Sequence, residues 1–231
     1  MEYFIWNNTD SRNVKGLIVC GLPPITKPKM RTQVLALDGR DGSIITNLGF
    51  SAYQKKVKIG LTKGYDIDNI IAWFNGAGQI VFSNEPDKYY NAQIIENIDF
   101  DKLLRFKTAE ITFEVQPFKY STIERQKTFN TAGLQQIKVV NTGNYNSKPT
   151  MTIYGSGTIN FYLNGAQQFT LALNENDTIT LDSTEQEAFN ETGLRNRIMN
   201  GNFIVLKQGT NTLSWDGTIT KIEISKYSRW L

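Results

Sequence analysis

In the first half of the chain, apolar and polar residues alternate with the period of a β-strand. Between residues 53 and 61, Tyr53, Val57, Ile59 and Leu61 fall on one face, and Gln54, Lys56 and Lys58 fall on the other. Residues 105–116 alternate in the same way, and residues 79–82 and 89–96 also have strand character. Because side chains of a strand point to opposite faces in turn, this pattern predicts a sheet with one buried and one solvated face.

A β-hairpin is predicted over residues 32–48. Two alternating segments, 32–37 and 43–48, flank the sequence Asp38-Gly-Arg-Asp-Gly42. Asp-Gly pairs favour tight turns because glycine adopts the positive φ that such turns require. The hairpin tip, and the proline-containing segment 17–31 before it, can be either plain surface loops or extensions that reach a neighbouring subunit.

Only one segment of the chain has a strong helical period. Ile67, Ile70, Ile71 and Phe74 recur at i, i+3, i+4 and i+7. Asp66 can cap the first turn and Gly76 can end the helix. The first domain is therefore predicted to be a β-sheet with one α-helix packed against it.

The second half of the chain contains short apolar segments about every eight to twelve residues, separated by Asn, Gly and Asp. The predicted strands are 136–140, 150–154, 158–163, 167–173, 178–181, 203–206, 211–214 and 219–225. Residues 190–200 interrupt this series and are predicted to form a longer loop or a short helical turn. Regular short strands with strong turn formers between them are typical of a β-sandwich. Since the pattern lapses between Pro117 and about Leu134, we predict two domains, residues 1–130 and 131–231.

Composition narrows the classes of function. The chain has no histidine and a single cysteine, Cys20, which we predict to be a small buried residue. Histidine is the commonest general base and metal ligand, so no catalytic residue, cofactor or metal site is predicted, and the protein is not expected to be an enzyme. A glycosidase needs two carboxylates, which could come from Glu185, Glu187 and Glu191 or from Asp177 and Asp182, but these are interpreted as solvated turn residues.

Charge and hydropathy bear on partners and location. The net charge is +3, which is too small for a nucleic-acid-binding protein, and the lysines at positions 55, 56 and 58 are expected to be solvated. The N-terminus lacks the basic and apolar regions of a signal peptide, and no run of 18 apolar residues occurs. We therefore expect neither export nor membrane insertion.

Several short motifs, in this order, resemble a known family. They are Phe4-Ile-Trp-Asn-Asn-Thr-Asp-Ser, Gly16-Leu-Ile-Val, Leu22-Pro-Pro, the Asp-Gly hairpin, and Asn141-Thr-Gly-Asn-Tyr-Asn-Ser-Lys-Pro149. Together they resemble the distal tail protein (Dit) of long-tailed phages that infect Gram-positive bacteria. The resemblance implies a tail-tube-like N-terminal domain and an outward C-terminal sandwich that is galectin-like or carbohydrate-module-like. It carries no catalytic residues.

The same resemblance implies an assembly. It implies a homo-hexameric ring at the distal end of the tail, made in the host cytoplasm and located in the virion. Such a ring is a hub between the tail-tube protein, a tail-tip or lysin-type protein, and receptor-binding or baseplate proteins. The alternative is a stand-alone carbohydrate-binding or cell-wall-active protein, and the mass in solution distinguishes the two.

The N-terminus is a candidate for the subunit interface. Tyr3, Phe4, Ile5 and Trp6 place four large apolar side chains where chains are usually polar and frayed. Either they form a strand packed on their own subunit, or they dock on a neighbour. If they dock, deleting residues 1–9 should leave a folded protein that no longer forms a ring. Tyr227, Trp230 and Leu231 at the other end also need a covering surface.

The second domain raises the question of sugar binding. Aromatic rings can stack on the apolar face of a pyranose beside polar side chains that bind its hydroxyl groups. The candidates are Tyr145, Tyr154, Tyr162 and Trp215. Because aromatic residues at alternating strand positions usually face a core, the core interpretation is favoured for them.

Overall fold

The structure is a computed structural model that describes residues 2–96, 98 and 100–231. The chain divides into two compact units, which we call the first unit (residues up to Lys119, with Leu231) and the second unit (Tyr120–Trp230).

The first unit is a sheet with two short helices. Its elements are β1 (Phe4–Trp6), β2 (Thr9–Asp10), β3 (Leu17–Gly21), β4 (Met30–Ala36), β5 (Ser43–Phe50), β6 (Tyr53–Leu61), α1 (Ile67–Trp73), β7 (Ala77–Phe82), β8 (Lys88–Gln93), α2 (Phe100–Phe106) and β9 (Thr108–Ser121). The main sheet has the order β2-β1-β7-β8-β9-β6-β3, whereas β4 and β5 form a separate two-stranded sheet.

The alternation read from the sequence sets the buried face of this sheet. In β6, Val57, Ile59 and Leu61 are buried, and in β9 the apolar positions, including Phe113, are buried between half-buried or exposed polar residues. These side chains form one core with Ile70 of α1. One polar residue departs from the prediction, because Lys55 lies on the buried face rather than in solvent.

The predicted helix is confirmed, and a second helix was not predicted. The Asp66 carboxylate accepts a hydrogen bond from the Asn69 backbone N–H at 3.2 Å, which caps α1. Residues assigned from sequence to the start of the strand at 105 instead end α2, and β9 begins at Thr108. With seven residues and Leu103 as its buried member, α2 is too short for a periodic signal to stand out.

The second unit is built on three long strands. Its elements are β10 (Gln126–Asn130), β11 (Gln136–Asn141), β12 (Thr150–Leu163), β13 (Ala166–Asp182), β14 (Glu187–Asn190), β15 (Gly193–Leu194), β16 (Met199–Gly201), β17 (Gly209–Ser225) and β18 (Arg229–Trp230). A 3-10 turn at Asn196–Ile198 provides the helical turn expected in this region. The strand β10, which the predicted boundary at 130 places in the first domain, pairs with β17 of the second unit.

Each long strand takes part in two groups of strands. One group joins β10 and β14 to the first half of β12 and the last halves of β13 and β17, and the other joins β11 and β16 to the remaining halves. Register shifts separate the halves, at Gly155/Gly157 in the pairing with β13 and at Ser156/Asn160 in the pairing with β17. The inward side chains of both groups form a single apolar core, so the unit is a β-sandwich whose strands bend from one layer to the other.

Several predicted turns are wrong, because the chain bends at these places without leaving the strand. The segments 174–177 and 216–217 were predicted to separate strands, yet they lie within β13 and β17. Gly217 has φ +103°, and a Cβ added there would lie 2.5 Å from the Thr158 carbonyl oxygen, so this glycine permits the bend. The predicted strand 203–206 is not formed beyond a single bridge between Leu206 and Ser147.

Cys20 is exposed, which contradicts its predicted burial. In β3, Leu17 faces the core, and alternation therefore places Ile18 and Cys20 on the outer face.

Candidate functional site

The N-terminal strand is part of the core of the first unit. Phe4 and Trp6 are fully buried, and β1 pairs with β2 on one side and with β7 on the other. The Trp6 ring centroid lies 5.2 Å from that of Phe113, and Trp6 Nε1 donates to the Trp73 carbonyl oxygen at 3.1 Å. Phe4 and Trp6 are thus packed within their own unit, which is the first of the two alternatives that the sequence left open for them.

The other two N-terminal candidates point away from this core. Tyr3 and Ile5 are half-buried, and the Arg12 guanidinium lies 3.9 Å from the centre of the Tyr3 ring. Of the four N-terminal candidates, Tyr3 and Ile5 are therefore the two that stay candidates for contact with a neighbouring subunit.

The hairpin of β4 and β5 carries several exposed large apolar side chains. It was predicted from sequence, and the structure confirms it, with Gly39 and Gly42 at positive φ in the tip. All residues of the two strands are exposed except Phe50, which is half-buried. The exposed apolar side chains are Met30, Val34, Leu35, Ile44, Ile45 and Leu48, with Leu37 at the start of the turn.

Both faces of this hairpin are apolar. Val34 pairs with Ile45 across the strands and Leu35 pairs with Ile44, so the two pairs lie on opposite faces. Val34 is 59% exposed and Ile45 is 64% exposed. An isolated two-stranded hairpin is at best marginally stable in water, so we expect another surface to cover at least one face.

The segment that leads into the hairpin is fastened to the first unit. Lys55 Nζ donates to the Pro24 carbonyl oxygen at 2.9 Å, and Asn84 Nδ2 donates to that of Pro23 at 3.0 Å. Pro23 and Pro28 are buried. The hairpin therefore begins from a segment held in place by buried contacts.

Lys55 is a buried lysine surrounded by aromatic rings. Its Nζ lies 5.0 Å from the centroid of the Tyr90 ring and 5.6 Å from those of Tyr53 and Phe82. Nearby, Glu85 accepts hydrogen bonds from Tyr90 Oη at 2.6 Å and Lys119 Nζ at 2.8 Å. Burial lowers the pKa of Lys55 to about 8, the Glu85 carboxylate partly opposes this, and the Lys119 charge adds to it.

This lysine predicts a specific pH dependence of stability. Its pKa is about 8 in the folded protein and about 10.4 in the unfolded chain. Between these values the unfolded chain binds more protons, so the free energy of unfolding should rise with pH. In urea titrations from pH 8 to 10, we expect the wild type to gain about 2–3 kcal/mol relative to Lys55→Met. Parallel pH profiles of the two proteins would contradict a lowered pKa of Lys55 in the folded protein.

The four aromatic candidates of the second unit do not lie together. Trp215 is 2% exposed and stacks on Phe161 in the core, with ring centroids 6.3 Å apart, so it is excluded from stacking on a ligand. Tyr162 donates to Asp216 Oδ2 at 2.8 Å, and the Arg229 guanidinium lies 5.3 Å from the Tyr145 ring centroid. Tyr154 lines a cavity.

That cavity, which we call the Tyr154 cleft, has a volume of about 600 Å³. Residues of β12, β13, β14 and β17 and the turn after β14 line it, among them Thr152, Tyr154, Asp177, Phe189, Asn190 and Glu223. Phe189 and Asn190 were not predicted as site residues. The sequence of residues 187–192 is that of a short strand and a turn, which indicates exposed side chains. It does not indicate which cavity these side chains line.

Two of the acidic side chains weighed for a glycosidase pair, Asp177 and Asp182, have structural partners. Asp177 Oδ2 accepts from Arg195 Nη1 at 2.7 Å. Asp182 Oδ1 accepts the backbone N–H groups of Thr184 and Glu185 at 2.8 and 3.1 Å, as in a turn.

Two further observations concern ligands and membranes. Across residues 2–96, 98 and 100–231, Cys, Asp and Glu side chains do not assemble into a group of three that could hold a metal ion. Neither helix in this described part of the chain is long and apolar enough to cross a membrane.

Comparison with solved structures identifies proteins with the same fold. The crystal structure of Dit (gp 19.1) of phage SPP1, described as a hub of the adsorption apparatus in phages infecting Gram-positive bacteria, matches with a TM-score of 0.70 at 15% identity. The match covers all of both chains. A chain in the structure of the phage P2 baseplate, in its activated conformation with Ca, matches with a TM-score of 0.56 at 10% identity. This match covers 100% of the present chain and 98% of the baseplate chain.

A second baseplate structure, of phage p2 activated with Sr, has a TM-score of 0.51 at 11% identity and covers 96% of this chain and 98% of that one. No family model and no curated sequence matches the chain. The predicted resemblance to Dit proteins is confirmed as a shared, mainly β fold that extends over the whole chain.

Proposed function

We propose that this protein is a structural subunit of a phage tail, of which six copies form a ring at the distal end. The ring acts as a hub that joins the tail tube to the baseplate or tip and to the receptor-binding apparatus. Support comes from the fold, which this chain shares along its full length with the Dit hub protein of phage SPP1. In this proposal the protein is located in the virion.

The observation that carries this proposal is the exposed hairpin of β4 and β5. Its two faces present the pairs Val34–Ile45 and Leu35–Ile44 to solvent in the single chain. Monomeric proteins rarely expose apolar patches of this kind, whereas oligomers use them as contact surfaces. A stand-alone carbohydrate-binding monomer would leave these side chains in water.

A ring is the assembly that suits such a projecting element. If the hairpin lies on a different surface of the next subunit, the contact is heterologous, and repetition about one axis closes a cyclic ring. Every hairpin is then covered by a neighbour, and no free apolar edge remains to drive uncontrolled association. Hydrogen bonds to the carbonyl oxygens of Pro23 and Pro24 fasten the segment that leads into each hairpin.

The proposed partners follow from the hub position. One side of the ring contacts the tail-tube protein, and the other contacts a tail-tip or lysin-type protein. The sandwich of the second unit faces outward, where it supports receptor-binding or baseplate proteins.

Light scattering after gel filtration and negative-stain imaging of the full chain test the proposal. With a subunit mass of 26.2 kDa, a hexamer should have a mass of about 157 kDa and appear as a perforated six-fold disc. A monodisperse monomer at high concentration would overturn the proposal.

A further inference from the structure

The Tyr154 cleft has features of a ligand site that the hub function does not require. Its volume of about 600 Å³ lies within the range of small-molecule sites in proteins. Its threonine side chains come from β12 and β13, namely Thr152, Thr178 and Thr180, and Thr192 follows β14. A wall rich in hydroxyl groups matches a ligand that is itself rich in hydroxyl groups.

Tyr154 supplies an aromatic surface to this cleft. Lys221 Nζ lies 3.7 Å from the ring centroid and therefore covers one face of the ring. Lys221 itself is not part of the cleft wall, to which β13 contributes Asp177, Thr178 and Thr180 and β17 contributes Glu223. Because Lys221 covers one face of the ring, a ligand that stacks on Tyr154 has to use the other face, and Phe189 adds a second aromatic side chain.

Two carboxylates in the cleft remain ionised and are held in position. Glu223 accepts from Lys221 Nζ at 2.9 Å and from Tyr154 Oη at 3.2 Å, and the hydrogen bond from Lys221 lowers its pKa. Burial opposes ionisation of Asp177, but the hydrogen bond from Arg195 contributes to a net lowering of its pKa. Ionised carboxylates are strong acceptors for hydroxyl donors.

The charge of the cleft wall discriminates between ligand classes. The wall contains Asp177, Glu191 and Glu223 and no lysine or arginine. Phosphates, sulfates and acidic sugars would find no cation in the wall to pair with, because Arg195 and Lys221 lie outside it and already pair with Asp177 and Glu223. A neutral ligand with many hydroxyl groups needs no such cation.

We propose that the Tyr154 cleft binds a neutral saccharide. One sugar ring packs its apolar C–H face on the free face of Tyr154. Its hydroxyl groups donate to the carboxylates of Asp177 and Glu223 and exchange hydrogen bonds with Asn190 and the threonine hydroxyls. This activity goes beyond the proposed hub function, because the ring needs no sugar to assemble.

Saturation-transfer difference NMR on the full-length protein tests this inference, since the method observes the sugar and tolerates a large assembly. The probes are neutral oligosaccharides of glucose, galactose and N-acetylglucosamine, with galacturonic acid oligomers as the acidic comparison. We expect at least one neutral probe to give a saturable signal with a Kd on the order of millimolar. The acidic oligomers should give weaker binding.

Matched variants assign the signal to the cleft. Tyr154→Ala should weaken binding about 2- to 12-fold, the value of one aromatic contact. Asn190→Ala, at a half-buried position of the opposite wall, should also weaken it. Tyr162→Ala is the control, because Tyr162 is not part of the wall and pairs with Asp216.

Two results would overturn the inference. One is the absence of saturable signal from every neutral probe, and the other is binding that survives unchanged in both Tyr154→Ala and Asn190→Ala. The oligomeric mass of each variant is measured in parallel. Loss of sugar binding with an unchanged mass then separates the cleft from ring formation.

Discussion

Replacing Val34 and Ile45 by aspartate is expected to convert the proposed ring into monomers. These two side chains form a cross-strand pair on one face of the hairpin and are 59% and 64% exposed in the single chain. Two carboxylates buried against an apolar neighbour would lose hydration at a cost of several kcal/mol. Light scattering should therefore show a shift from the mass of the assembly to 26.2 kDa.

The folded subunit should tolerate this change. Because both positions are exposed and belong to neither apolar core, the circular dichroism spectrum of the monomer is expected to stay close to wild type. Val140→Asp is the matched control, since Val140 is 45% exposed on β11 and the hairpin does not include it. An assembly of unchanged mass in the double variant would remove the hairpin from the interface.

Trp6→Ala is expected to lower the free energy of unfolding of the first unit by about 3–5 kcal/mol, the usual cost of removing a large buried aromatic side chain. Trp6 is fully buried against Phe113 and also donates a hydrogen bond to the Trp73 carbonyl oxygen. The substitution leaves a cavity and an unpaired acceptor. Urea unfolding followed by circular dichroism measures the change.

The comparison is best made in the Val34→Asp/Ile45→Asp background, where assembly does not add to apparent stability. Ile5→Ala is the control, because Ile5 neighbours Trp6 in β1 but is only half-buried. Its cost should be clearly smaller than that of Trp6→Ala. Equal effects of the two substitutions would show that burial of Trp6 does not support the first unit.

The same packing changes the expected outcome of deleting residues 1–9. From sequence, the deletion should leave a folded protein that fails to assemble. In the structure it would remove two fully buried aromatic residues, Phe4 and Trp6, together with the strand next to β7. We therefore expect the first unit of the deletion variant to be unfolded. Limited proteolysis should show that it has lost its protection from cleavage.

Local pattern was enough to predict several elements correctly. The alternation in β6 and β9 identified their buried faces, Asp-Gly pairs identified the hairpin, and the spacing of Ile67, Ile70 and Phe74 identified α1. Each signal depends on residues close in sequence, since period and turn chemistry are properties of the local backbone. The absence of histidine likewise follows from the sequence alone.

Contacts between distant segments decided the rest. Whether Trp6 meets its own core or a neighbour depends on Phe113, which is far away along the chain. Lys55 is buried where its Nζ reaches the Pro24 carbonyl oxygen, and the cleft beside Tyr154 is formed together with residues of β13 and β14. Side-chain alternation identifies two faces of a strand, but the free energy of burial is set by what packs on each face. That partner is a property of the tertiary fold.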